Sequence, residues 1–256
     1  MKWNAEQYLK FEQERTQPAL DLIARIPLHD PQKVLDIGCG PGNSTKQLQE
    51  RFPYAEVVGI DSSEEMIKTA SAHYPNIKFL LCDATKDLLA LNKAYDVVFS
   101  NACIQWVPDH PNLLKNMMAL LNPGGVLAVQ TPINEQEPIH QIIKQTVAEE
   151  KWVSSFPNPR VFYNLSVGAY HDVLAALSDH FSIWQITYYH TMHSHQDIME
   201  WYRGTGLRPY LSLLKGERAK AFEEEIYQKV VSSYPVQQNG TVLFPFPRLF
   251  FTAVKE

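Results

Sequence analysis

Short, nearly all-apolar runs alternate with amphipathic stretches through the first half of the chain. Val34-Leu-Asp-Ile37, Val57-Val-Gly-Ile-Asp61, Ile77-Lys-Phe-Leu-Leu-Cys-Asp83, Tyr95-Asp-Val-Val-Phe-Ser-Asn101 and Val126-Leu-Ala-Val-Gln130 each have the length of a strand. Runs without in–out alternation predict strands buried on both faces. Between them the spacing turns helical. An amphipathic helix is expected over 4–26, capped by Asn4, with Tyr8, Phe11, Leu20, Ile23 and Ile26 along its apolar stripe and a break near Pro18. Asn43, Ser44 and Thr45 are candidate caps for a helix through Leu48 to Phe52. Ser62-Ser-Glu-Glu65 reads as a capping box opening a helix through Met66, Ile67 and Ala70, and a further helix is expected over 110–121. Such alternation predicts an α/β fold, a doubly wound and mostly parallel sheet covered on both faces. Ligands of these sheets bind outside the carboxyl ends of the strands.

The second half changes character. Residues 132–165 are rich in proline and carry a helical piece near Ile139 to Val153, and Ser166 caps a helix ending near Leu177. Phe181 to His190 reads as a strand, and Thr241-Val-Leu-Phe244 with Arg248 to Val254 as another. Between those strands 194–234 is helical, with Ser194-His-Gln-Asp197 as a cap and Phe222, Ile226, Val230 and Tyr234 as a stripe. The expected organisation is one domain over 1–256, with a ligand-binding core at 33–131. Insertions at 132–165 and 193–240 would cover the substrate, the second as a helical lid between the last two strands.

Charge narrows the classes. A formal charge of −5 lacks the basic face that a general nucleic-acid binder needs. No apolar run approaches a membrane span, and Met1-Lys-Trp-Asn4 lacks a signal-peptide core. Cys39, Cys82 and Cys103 form no C-x-x-C pair, the usage expected of reduced thiols in a cytoplasmic protein. No nucleic acid, membrane or obligate protein partner is expected.

The chemistry concentrates at strand ends. Gly38, Gly40 and Gly42 follow the first strand in a G-x-G-x-G turn around Pro41, a way to bring bare backbone against a ligand. Asp36 sits two residues before the first glycine in a buried strand, where a charge implies a cationic or hydrogen-bonding neighbour. Asp61 occupies the place where doubly wound folds hold a ribose diol. Asp83 could accept from an exocyclic adenine amine, and Asn101 points polar groups at the crevice mouth. Arg203, Arg208 and Arg248 stand among Tyr188, Tyr189, Trp201, Tyr210 and Phe250, and guanidinium forks suit carboxylates. His190, His193 and His195 share no face and have no acid pair, so no metal site is expected. No serine elbow supports a hydrolase.

Asp36-Ile-Gly-Cys-Gly-Pro-Gly42, with Asp61, Asp83, Asn101 and Asn122-Pro-Gly-Gly125, resembles the Rossmann-like class I S-adenosylmethionine-dependent methyltransferases across 33–131. Outside that core, Trp3-Asn-x-x-x-Tyr-Leu9, Asn101-Ala-x-x-Gln-Trp-x-Pro-Asp-His110, Thr187-Tyr-Tyr-His190, Thr205-Gly-Leu-Arg-Pro209 and Phe246-Pro-Arg-Leu-Phe250 are similar to carboxyl methyltransferases of that family. The resemblance implies a seven-stranded sheet ending in an antiparallel hairpin strand. It implies S-adenosyl-L-methionine as cofactor, its methionine part over Gly38, Cys39, Gly40 and Gly42 with Asp36 near the amino end. Asp61 would hold the ribose, Asp83 or Ala84 meet the adenine, and Asn101 line the sulfonium side, with Ser62 and Met66 also in the cofactor set. The implied reaction esterifies one carboxylate of trans-aconitate or a similar small polycarboxylate. A carboxylate is already ionised at neutral pH, so no general base is required. Catalysis would then be positioning, for which in-line alignment supplies about 7–11 kcal/mol. Expected substrate contacts are Tyr8, Tyr189, Arg203, Arg208 and Arg248, with Trp106 and His190 as candidate catalytic wall residues. The alternatives are a methyltransferase acting on a malonyl group of a carrier protein, and a cofactor-binding protein without chemistry.

Overall fold

A computed structural model of the protein describes residues 12–91 and 94–256. Strands β1 (Lys33–Ile37), β2 (Glu56–Asp61), β3 (Lys78–Leu81), β4 (Tyr95–Asn101), β5 (Leu121–Pro132), β6 (Phe181–Met192) and β7 (Val242–Val254) form one sheet in the order β3-β2-β1-β4-β5-β7-β6. The first five pair in parallel, and β7 runs antiparallel to β5. Val34, Leu35, Val97, Val98, Leu127, Ala128 and Val129 are fully buried, as apolar runs in a sheet covered on both faces must be. From β1 the chain goes to β2 on one side and later returns to β4 on the other. Their carboxyl ends therefore flank the switch point where such sheets open a crevice.

Helix α1 (Glu12–Ala24) continues through Pro18, which removes one amide donor and does not end it here. The start of the expected helix, with Asn4, Tyr8 and Phe11, lies outside the described residues. Helix α2 (Asn43–Arg51) is capped by the Gly42 backbone with no side-chain cap, so Asn43, Ser44 and Thr45 are not its caps. Helix α3 (Glu64–His73) is capped by Ser63, whose hydroxyl accepts from Met66 N at 3.3 Å. The cap thus sits one residue later than Ser62, and Glu65 is not its partner. Strand β3 stops at Leu81, leaving Asp83 in the following turn. Strand β5 begins before the Asn122-Pro-Gly-Gly125 stretch, and the register irregularity between Tyr95 and Val97 absorbs it. Strand β7 is continuous despite Pro245 and Pro247. Two prolines spaced by two residues lack donors on the same strand edge, so the opposite edge keeps its ladder.

The chain divides into two compact units. The sheet unit comprises Arg15–Pro132, Phe162–Ile186 and Arg248–Glu256. It includes α1, α2, α3, α4 (His110–Ala119) and α7 (Val167–Ala175) around the strands. The helical unit is made chiefly of Ile133–Val161 and Thr187–Pro247. It contains α5 (Pro138–Ala148), α6 (Glu150–Val153), α8 (His195–Arg203), α9 (Arg208–Leu211) and α10 (Glu217–Ser233). It has its own core, in which Phe222, Ile226 and Val230 of α10 meet Ile139, Ile143, Trp152 and Phe156. Glu225 ties α10 to α6. Its carboxylate accepts from Trp152 Nε1 at 2.9 Å and pairs with Lys151 and Lys229 at 2.8 and 2.9 Å. Burial opposes the charge, but these partners hold the Glu225 carboxyl down to about 2. Ser194 and Asp197 form a reciprocal capping box on α8. Among the described residues no helix is long and apolar enough to cross a membrane.

Candidate functional site

Strand β1 delivers Asp36 to the switch point with no solvent exposure. Its Oδ2 accepts from Ser44 Oγ and Thr45 Oγ1, each at 2.7 Å. The hydroxyls that resemble helix caps in the sequence therefore turn back onto the carboxylate. Asp36 Oδ1 is buried and has no partner among the described residues. Burial pushes the carboxyl from 3.8 up to about 6, against the two hydroxyl bonds and with a smaller push from the Asp61 charge. A half-satisfied carboxylate of this kind awaits a donor, and a cationic donor would bring its pKa back down.

The glycine turn is held by Ile60, whose carbonyl accepts from both Gly38 N at 2.8 Å and Cys39 N at 2.9 Å. Gly38 has φ +75°, and a Cβ there would lie 2.2 Å from Cys103 Sγ, so packing alone demands glycine. Gly40 differs. At φ +54° a Cβ would meet nothing within 4 Å among the described residues, so its backbone borders open space there. This is the bare main chain that a ligand can approach. Gly42, also at positive φ, packs against Tyr74.

Asp61 ends β2 and joins the turn to α3. Its Oδ2 accepts from Gly40 N at 3.0 Å and its Oδ1 from Ser63 N at 2.8 Å. A carboxylate has about four lone-pair directions, so two remain for a ligand while backbone amides fix its orientation. Ser62 is exposed and Met66 half-buried beside it. Asp83 is occupied locally: Oδ1 accepts from Thr85 N and Thr85 Oγ1, and Oδ2 pairs with Lys86 at 3.0 Å. The Thr85 bonds, then Lys86, hold its carboxyl down to about 2. Ala84 follows, half-buried. The neighbouring thiols are inert at neutral pH: burial, aided by the Asp61 and Asp36 charges, pushes Cys103 up to about 12, and burial raises Cys39 further.

Strand β4 ends at Asn101, whose Oδ1 is buried without a partner among the described residues. The chain then turns at Ala102, which takes φ +51° and donates its N–H to Gln130 O at 3.0 Å. Asn101 stands opposite Gln130 of β5, and Gln130 opposite Phe250 of β7. Phe250 stacks on Trp184 with centroids 5.4 Å apart, and the Arg25 guanidinium lies 4.5 Å from the Trp184 ring. Asp36 pairs with Phe99, two residues before Asn101, so Asp36, Asn101 and Gln130 share one face of the sheet. Gln130 is 1% exposed, and neither Nε2 nor Oε1 has a partner among the described residues. Arg248 pairs with Pro132 two residues further on and is buried on that same face. Sequence reading missed Gln130; a single polar residue ending an apolar strand was its only signal.

Trp106 ends a short 3-10 turn (Ile104–Trp106), is partly exposed and packs on Phe162 at 4.7 Å. His110, just beyond, is a structural pin: Nδ1 lies 2.7 Å from the Tyr170 hydroxyl and Nε2 2.8 Å from Ile104 O. Burial lowers its pKa, so it stays neutral. Tyr189, His190, Arg203 and Arg208 belong to the helical unit. His190 stacks on Trp201 at 5.2 Å, Tyr189 is exposed, and Arg208 opens α9 on the surface. Arg203 Nε donates to Glu223, which already neutralises it. His195 Nε2 lies 2.7 Å from Tyr234 O. Tyr8 lies outside the described residues. Among the described residues no three His, Cys, Asp or Glu side chains are grouped to hold a metal ion.

A methyltransferase-domain family model matches residues 28–196. The trans-aconitate 2-methyltransferase of Rhodopseudomonas palustris (strain BisB18) is 44% identical over 255 residues, 99% of either chain. This chain belongs to that methyltransferase family. The trans-aconitate 2-methyltransferase of Escherichia coli (strain K12 / DH10B) is 42% identical over 251 residues, covering 98% of this chain and 97% of its own. Phosphoethanolamine N-methyltransferase 2 of Haemonchus contortus, solved in complex with S-adenosyl-L-methionine, aligns with a TM-score of 0.57 at 16% identity. The match covers 94% of this chain and 53% of that one, and bears on the fold alone. The fold is accordingly the Rossmann-like methyltransferase fold, seven strands with an antiparallel β7.

Proposed function

We propose that the protein transfers a methyl group from S-adenosyl-L-methionine to one carboxylate of trans-aconitate or a closely similar small polycarboxylate. The observation that carries this reading is near-full-length identity of 42–44% to enzymes named for that reaction, joined to a strand-end site built for a cationic nucleoside. When bound, the cofactor supplies an electrophilic methyl group on a sulfonium. The residues present fit it. Asp36 Oδ1 is a buried acceptor without a donor, suited to an ammonium, and Gly40 leaves open space beside the turn. Asp61, held by Gly40 and Ser63 amides, offers its remaining lone pairs to a ribose diol. Asp83 and Ala84 stand at the adenine end, with Asp83 keeping lone pairs beyond those given to Thr85 and Lys86. Gly38, Cys39, Gly42, Ser62, Met66 and Asn101 complete the proposed cofactor set.

Acceptor recognition is assigned first to Arg248, a buried guanidinium on the same sheet face as Asn101 and Gln130. Its charge would neutralise a carboxylate that does not react and orient one that does. Arg208, Tyr189, Trp106, His190 and Tyr8 remain proposed wall residues, and Arg203 a proposed contact that keeps its Glu223 partner. The domain model ends at 196, whereas identity to the named relatives spans the whole chain. That difference supports residues beyond 196, Arg248 among them, as the part that distinguishes the acceptor. Three free thiols support a reducing, cytoplasmic setting. Steady-state methyl transfer against a panel of di- and tricarboxylates tests the assignment. The expected result is the highest kcat/KM for trans-aconitate; a preference of at least about tenfold for a malonyl-carrier conjugate would replace it.

A further inference from the structure

Gln130 carries a polar group that the fold does not use. Its side chain is 1% exposed, yet neither amide atom has a partner among the described residues. A leucine or methionine of similar size would fill the same space without stranding two donors and an acceptor in an apolar interior. Buried polar groups in native structures are almost always paired, so an unpaired one beside a ligand site points to the ligand.

Its neighbours indicate which ligand. On one side, Asn101 stands opposite it in β4 with Oδ1 also buried and unpartnered, and Asp36 on the same face presents an unpartnered carboxylate oxygen. These are acceptors, and they suit the donor-rich ammonium end of the cofactor. On the other side, Arg248 lies one step along β7 on the same face. Two residues of strand span about 7 Å, the reach of a small diacid. A group that joins an acceptor-rich side to a cationic side, and holds two N–H donors of its own, suits a carboxylate.

We infer that Gln130 is an acceptor-recognition residue, its carboxamide donating through Nε2 to a carboxylate of the polycarboxylate held by Arg248. The inference rests on the carboxyl-methyltransferase reading above and adds a residue to it. A neutral amide serves here because it donates without adding a second charge beside Arg248. It also discriminates, since an acid lacking the matching carboxylate would leave the amide stranded.

Two substitutions test it. Gln130→Met keeps the volume and removes the polar atoms; Gln130→Glu keeps the shape, removes the donors and adds repulsion. Three readouts are taken: methyl transfer to trans-aconitate, calorimetric affinity for S-adenosylhomocysteine, and the melting temperature of the ligand-free protein. For Gln130→Met the expected result is a KM for trans-aconitate raised about tenfold or more, with S-adenosylhomocysteine affinity within about twofold of wild type. Its melting temperature should equal or exceed that of wild type, because a stranded amide has been removed. Gln130→Glu should lower kcat/KM by about a hundredfold or more with the same nucleoside affinity. An unchanged KM in Gln130→Met would overturn the inference. So would about tenfold weaker S-adenosylhomocysteine binding with an intact KM, which would assign the amide to the cofactor. A melting temperature clearly below wild type would overturn it as well, by making the amide structural. If wild-type protein binds S-adenosylhomocysteine but methylates no polycarboxylate, the functional reading falls and takes the inference with it.

Discussion

Replacing Asp36 with Asn should stabilise the empty protein while disabling the site. Asp36 is fully buried, and burial lifts its carboxyl from 3.8 to about 6. At about 1.4 kcal/mol per pH unit, the charged form carries a penalty on the order of 3 kcal/mol in the ligand-free state. The sign follows from the raised pKa. The folded state holds the proton more tightly than the unfolded chain, so the contribution is favourable below pH 3.8. It is lost as pH rises through about 6. Asparagine has no charge to bury and still accepts from Ser44 or Thr45 through its carbonyl. At pH 8 the ligand-free variant should therefore be more stable by about 1–3 kcal/mol, which for a chain of this size is a melting shift of about 2–10 °C. The gap should close as pH is lowered from 6 toward 4. Binding should move the opposite way. Loss of a charge-assisted bond to an ammonium is worth about 1.5–3 kcal/mol, or about 10- to 150-fold in S-adenosylhomocysteine affinity. Calorimetric melting from pH 4.5 to 8, with titration of the nucleoside at pH 8, measures both. A variant that melts below wild type at pH 8 and binds the nucleoside normally would show that Asp36 neither strains the empty site nor holds the ammonium.

Other outcomes follow from the same geometry. In wild-type protein, S-adenosylhomocysteine affinity should weaken as pH falls below about 6, by up to about tenfold per pH unit, as Asp36 protonates. A flat affinity between pH 5 and 7 would remove Asp36 from the ammonium site. Gly40→Ala strains a φ of +54° in open space, so stability should fall by about 1 kcal/mol. Isothermal titration should show S-adenosylhomocysteine affinity reduced by more than that strain explains. Arg248→Met should raise the KM for trans-aconitate by about tenfold or more, with smaller change for monocarboxylates; equal losses for both would deny it a role in holding a second carboxylate. Glu225→Gln should lower urea stability at pH 7 by about 1 kcal/mol, through lost bonds to Trp152, Lys151 and Lys229. Because the Glu225 carboxyl is held below its ordinary value, that difference should shrink as pH falls through about 4 toward 2.

The sheet was readable in the sequence because parallel strands buried on both faces leave uninterrupted apolar runs, and Val34 to Ile37 or Tyr95 to Asn101 need no alignment to be seen. Asp36 and the glycines were readable because a charge in such a run and positive-φ residues after it have few structural uses. Roles set by partners distant in sequence were not. Ser44 and Thr45 have the side chains of helix caps, and only the fold of the turn shows that they serve Asp36. Arg203 looks like a free cation until α8 and α10 bring Glu223 to it. Gln130 acquires meaning only through register, which sets it opposite Asn101 and one step from Arg248. Pro245 and Pro247 suggest an interruption because propensity is local, whereas a strand edge can lose donors on one side and persist.

Carboxyl methylation of a small polycarboxylate can be read from a single reaction by mass analysis. Purified protein is incubated with S-adenosyl-L-methionine and trans-aconitate. The expected products are a monomethyl ester and S-adenosylhomocysteine in equal amounts, with the added methyl released as methanol by mild base. S-adenosyl-L-methionine bound but unconsumed, or a methylated product stable to base, would contradict carboxyl methylation.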